Sequence, residues 1–120
     1  MQNLQLNLIL RFILEILALI SFVYWGWTKH KGLEQIFYIF IVPLTVMIIW
    51  GTFRVSDDPG PAPVEIPGYL RLLFEILVFT IAIFFLYDVK QEIMAYVFGL
   101  IVLGHYILDY KRIIWLLTGN

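Results

Sequence analysis

Residues 69–87 read YLRLLFEILVFTIAIFFLY, an apolar run interrupted only by Arg71, Glu75 and Thr80 between its terminal tyrosines. A helix needs roughly 20 such residues to cross about 30 Å of hydrocarbon, and this run has 19. It does not alternate polar with apolar, as a strand of a membrane barrel would. Residues 4–27, 33–53 and 93–108 are stretches of the same kind, the last only just long enough. Charged and turn-forming residues separate the four. The pattern predicts one all-α domain over residues 1–120: an integral membrane four-helix bundle made of two antiparallel hairpins.

Composition points the same way. The 120 residues are 62% hydrophobic, 18% aromatic and 14% charged, with a mean hydropathy of +0.89. A soluble domain runs near half apolar and about a quarter charged, and a chain this small has too much surface to hide such an excess. A soluble enzyme, a nucleic-acid binder and a disordered tail are excluded. Eight basic against nine acidic residues leave a net charge of −1, with no basic footprint for a polyanion. The absence of cysteine excludes disulfides, thiolate metal sites and thiol nucleophiles. The first stretch lacks the basic start and small-residue cleavage site of a signal peptide and carries Arg11 and Glu15, so it is expected to be a retained helix.

Aromatic residues gather where the spans should meet headgroups: Tyr24, Trp25 and Trp27, then Trp50, Tyr69, Tyr87, Tyr110 and Trp115. Two connections are short, around Lys29-His30-Lys31 and Asp88–Glu92. The middle connection, residues 54–68, is RVSDDPGPAPVEIPG and holds four of the five prolines. Proline runs favour extended or turn geometry, so it is expected to be a linker rather than a cap over the bundle. With an even number of spans, both termini share a side with that loop. Arg54, Lys111 and Arg112 lie there, joined by Arg11 and Arg71 if they reach toward it, against Lys29, Lys31 and Lys90 opposite. The count leans toward termini inside the cell.

The octet Leu10-Arg11-Phe12-Ile13-Leu14-Glu15-Ile16-Leu17 recurs as Leu70-Arg71-Leu72-Leu73-Phe74-Glu75-Ile76-Leu77. Matching leucines mean little in so apolar a chain; matching Arg and Glu inside two spans mean more. Equivalent first helices in two hairpins would make parallel repeats about a pseudo-twofold axis along the membrane normal. A charge inside a span costs at least about 2.5 kcal/mol on insertion scales, so Arg11, Glu15, Arg71 and Glu75 should face the interior and pair. Each Arg lies four residues before its Glu, the less favourable order within a helix. Cross-helix pairs, Arg11 with Glu75 and Arg71 with Glu15, are therefore expected. The cluster is either a structural ion-pair network or a polar site that binds an anion, relays protons or coordinates a cation on the glutamates.

His105, Asp109 and Arg112 form a second polar stripe at i, i+4 and i+7, with His105 expected to bond Asp109. A His–Asp couple without a nucleophile is weak evidence for catalysis. His30 beside two lysines reads as solvated, and Asp57-Asp58 before proline as turn formers. No metal-ligand set, P-loop or dinucleotide fingerprint is present, so neither a metal nor a cofactor is expected. Ala95 and Gly99, with Gly104 extending them, give the fourth helix a small-residue face for close packing. Pro43 should kink the second span.

The segments around Arg11 and Glu15, Trp25-Gly26-Trp27, Trp50-Gly51-Thr52-Phe53, Pro61-Ala62-Pro63 and Leu70-Arg71 to Glu75 resemble the YrdB-like family of small bacterial membrane proteins with four predicted helices. They cover about the first three quarters of the chain in matching order; the fourth span matches only as a hydrophobic helix, and Asp57-Asp58 departs from the pattern. The resemblance implies a bacterial cytoplasmic-membrane protein and supplies no activity. The functional expectation is a non-enzymatic structural or partner-binding component, with lipid and a homodimer or membrane-protein partner around it. The alternative is a small dimeric transporter or channel using Glu15 and Glu75, since four spans alone enclose little volume. A weaker third option is a membrane enzyme using His105 and Asp109.

Overall fold

The computed structural model describes residues 4–55 and 62–118. Five helices account for most of them: α1 (Leu4–Lys29), α2 (Gly32–Thr52), α3 (Gly68–Asp88), α4 (Glu92–Leu108) and α5 (Tyr110–Thr118). α1, α2 and α3 are each long and apolar enough to cross a membrane, and α4 with α5 would make a fourth candidate if that bent pair is one span. The chain is all-α apart from a two-residue parallel pairing of β1 (Phe53–Arg54) with β2 (Val64–Glu65). That pairing, with Ile66 N–H donating to the Arg54 carbonyl, ties the two ends of the proline-rich connection together. Asp57-Asp58 lie outside the described residues.

The contacts set the helix order. Tyr87 faces Tyr96, and Phe79 faces Phe98 and Tyr106, so α3 and α4 form an antiparallel hairpin. At one end of α1, Gln35 donates to the Trp27 carbonyl; near the other, Trp50 bonds Glu15, so α1 and α2 are antiparallel as well. The hairpins meet through α1 and α3, which run in the same direction: Phe22 and Trp25 pack on Phe85, and Trp25 donates to Asp88. The two helices that carry the repeated octet thus stand side by side. Leu14, Ala18, Phe22, Val78, Phe79, Ala82 and Phe98 form the core between α1, α3 and α4.

The second helices of the hairpins are not equivalent. Only 6% of the most apolar window of α2 is buried, against 33% for α3, so α2 lies at the periphery. It also contains a π segment, Phe37–Ile41, directly before Pro43, in which Val42 N–H reaches five residues back to the Phe37 carbonyl. Proline lacks an N–H and its ring crowds the carbonyl four residues back; a wider turn just ahead of it accommodates both defects. Gly26 lets this segment approach α1, because a Cβ there would lie 2.6 Å from Tyr38 Cβ.

The other hairpin ends in a bend. α4 stops at Leu108, Asp109 takes non-helical dihedrals (φ −102°, ψ 30°), and α5 leaves at 68°. The Asp109 carbonyl accepts from the N–H groups of Arg112 and Ile113, so the bend satisfies donors of the new helix. α5 folds back onto the start of α3, where a Cβ on Gly68 would run into the Leu116 carbonyl.

Gly26→Ala should lower the thermal midpoint in detergent, costing about 1–3 kcal/mol from overpacking against Tyr38. Gly51→Ala, whose Cβ meets nothing within 4 Å, should leave the midpoint unchanged or raise it.

Candidate functional site

Polar side chains buried in the apolar interior gather at one end of the molecule, where α1 and α3 begin, α2 and α4 finish and α5 folds back. Arg71 sits in the first turn of α3. Its Nε donates to Glu75 Oε2 at 2.9 Å, and its Nη1 donates to the carbonyls of Trp50 at 2.6 Å and Phe53 at 2.9 Å. Trp50 lies in the last turn of α2 and Phe53 caps it, where acceptors lack intrahelical partners and a cation is favoured. The guanidinium also lies 4.9 Å from the Trp50 ring centroid. One side chain thus joins α2 to α3.

Glu75 is the hub. It is completely buried, and both oxygens are used: Arg112 Nη2 donates to Oε2 at 2.8 Å, Arg112 Nη1 to Oε1 at 3.1 Å, and Tyr106 Oη to Oε1 at 2.8 Å. The Arg112 fork matches the carboxylate geometry bidentately. α3, α4 and α5 are therefore fastened at one carboxylate. The local Arg71–Glu75 pair forms despite the less favourable residue order, and a second guanidinium, that of Arg112, reaches Glu75 from α5. The charge of Arg11 still acts on Glu75 across the interface, as that of Arg71 acts on Glu15.

The second copy of the octet is built differently. Arg11 is buried, but Glu15 is half-buried and accepts a hydrogen bond from the Trp50 indole. It lines an open cavity of about 350 Å³ between α1 and α2, with Phe12, Val46, Met47 and Trp50 among the other walls. Glu75 has no such opening.

The stripe on the fourth span is split by the bend. Arg112 leaves it for Glu75. His105 is buried, and neither ring nitrogen has a hydrogen-bond partner, so the expected bond to Asp109 is not made; what joins the two is Asp109 N–H donating to the His105 carbonyl at 2.9 Å. A helical i, i+4 side-chain contact needs the helix to continue, and here it ends at Leu108. Neither residue lines the cavity beside Glu15 or either of the two other apolar grooves, between α1 and α4 and between α3 and α4. Among the described residues, no group of three or more His, Asp or Glu could hold a metal ion.

Trp50 and Tyr106 are site residues that sequence reading missed. Trp50 was assigned to a headgroup belt, yet it is half-buried between Glu15 and Arg71. Trp25 is likewise turned inward and donates to Asp88 at 2.8 Å at the opposite end.

The sequence matches a known family. A family model described as "Protein of unknown function (DUF2568)" covers residues 9–103. The chain belongs to this family. It is also similar to a protein of Bacillus subtilis (strain 168) named "Uncharacterized protein YrdB", with 38% identity over 117 residues, 95% of either chain. The resemblance drawn from the octet and the tryptophan motifs thus holds. The family match ends before Tyr106, Asp109 and Arg112, whereas the similarity to the Bacillus subtilis protein runs over nearly the whole chain. No solved structure matches the chain.

Replacing Glu75 with Gln removes a fully buried anion that Arg71 and Arg112 share and should cost about 3–5 kcal/mol. Glu15→Gln, at a half-open wall, should cost no more than about 1.5 kcal/mol. Unfolding in mild detergent measures both; equal losses would contradict the difference in burial.

Proposed function

We propose that the chain is a multi-pass protein of the bacterial cytoplasmic membrane, its termini inside the cell, that acts as a non-enzymatic structural or partner-binding component. The observation that carries the structural reading is the saturation of Glu75. A carboxylate completely buried and bonded to Arg71, Arg112 and Tyr106 has no lone pair directed at a ligand, and moving it would release three helices. Placement in a bilayer is supported by three long apolar helices and by the broad exposed apolar face of α2, which water would leave unsatisfied. That face would meet lipid or another membrane protein.

A second reading, a small dimeric transporter or channel, is favoured by one observation: Glu15 stands on a cavity wall. Only Glu15 supports it, since Glu75 is committed to the fold.

Reporter fusions and cysteine labelling in intact cells test the placement. Position 30, between α1 and α2, should be labelled from outside and the C-terminus only after permeabilisation; labelling at position 30 only after permeabilisation would reverse the orientation. In proteoliposomes, loss of a solute or proton flux in Glu15→Gln with unchanged folding would favour the transporter, and absence of flux in the unsubstituted protein would favour the structural role.

A further inference from the structure

The cavity between α1 and α2 is about 350 Å³ and its walls are Phe12, Ile16 and Leu19 with Val46, Met47, Trp50, Gly51 and Val78, apart from Glu15. Glu15 is the one ionisable residue among them. Arg11 is buried and does not line the space, and the carboxylate of Glu75 is held in its own hub. The size lies in the range of small-molecule sites, roughly 300–1,000 Å³, which pair apolar walls with a few polar groups.

The wall chemistry narrows the occupant. An anion would face a carboxylate. A bare metal ion would find one carboxylate and none of the further oxygens that hard cations require. A neutral hydrocarbon would gain nothing from Glu15. An organic cation uses everything present: its carbon groups fill the apolar walls, its positive nitrogen faces Glu15, and the rings of Trp50 and Phe12 attract it through their π faces. We propose that this cavity binds an amphipathic organic cation, a substituted or quaternary ammonium, with Glu15 as counter-ion and Trp50 as both hydrogen-bond donor to Glu15 and aromatic wall. The nearby charges of Arg11 and Arg71 oppose the cation, so the hydrophobic walls carry as much of the binding as the charge. The inference deepens the transporter reading, but binding can fail or succeed without flux, so the two are separately testable.

Benzyltrimethylammonium is the probe, measured by equilibrium dialysis against the full chain in nanodiscs of a neutral diglycosyl diacylglycerol, which carries no ammonium group, with empty nanodiscs subtracted. One saturable site per chain is expected. Glu15→Gln should weaken it at least about 10-fold, and neopentylbenzene, the neutral isostere, should not distinguish that variant from the unsubstituted protein. Gly51→Leu offers an independent check, since Gly51 lines the cavity and a Cβ there meets nothing within 4 Å. It should weaken binding similarly while the thermal midpoint holds, and it decides the matter should Glu15→Gln not fold. No saturable binding, equal binding by Glu15→Gln, or unchanged binding by Gly51→Leu would overturn the proposal. Occupation of the cavity by a lipid acyl chain would be read as equal competition in both Glu15 forms, and overturns it too.

Discussion

A carboxylate in an apolar interior must be neutralised and have its lone pairs filled, and at Glu75 this is done by two guanidiniums and a phenol. The demand reaches well beyond α3. It requires Arg112 to arrive from the far end of the chain, which a straight fourth helix would not allow; the bend at Asp109 and the return of α5 make that contact. It requires Arg71 in the first turn of α3, where the same side chain also holds the last carbonyls of α2. Gly68 and Leu116 then pack at backbone distance. The bend, the α5 contact and the attachment of α2 all lead back to one buried anion.

That commitment separates two residues that the sequence presents as equivalents. Glu15 and Glu75 occupy matching positions of a repeated octet on parallel, adjacent helices. Their surroundings differ because the second helices differ. α4 supplies Tyr106 and, through the bend, Arg112, whereas α2 supplies one tryptophan and leaves an opening. The repeat is thus asymmetric in burial: Glu75 is enclosed and bonded on both oxygens, and Glu15 stands on the wall of an opening.

Much of the fold was legible. The apolar runs located α1, α2, α3 and α4, since length and continuity of hydrophobicity are local properties. The octet marked the two adjacent helices, and Ala95 and Gly99 marked a face that packs within the chain, Gly99 against Ile83. The Asp109 bend was not legible, because a single aspartate at the end of an apolar run is equally compatible with a helix that simply stops. Without the bend, Arg112 remained on the His105 stripe and the Glu75 hub was incomplete. The inward turn of Trp25 and Trp50 was hidden for a related reason: an amphipathic ring satisfies its N–H at a headgroup or at a carboxylate of a neighbouring helix, and sequence position does not distinguish them. That Arg71 bonds Glu75 and also the carbonyls of Trp50 and Phe53 depends on where α2 ends, a tertiary fact.

The central claim is that Arg112 and Glu75 act on each other directly and so fix α5 to α3. A double-mutant cycle with Arg112→Gln, Glu75→Gln and the double variant, read as unfolding free energy in the same detergent, measures that interaction alone. The account predicts that the double variant loses less than the two single variants added together, with a coupling of about 2–3 kcal/mol. Additive losses would show that the two residues stabilise the chain independently and would contradict it.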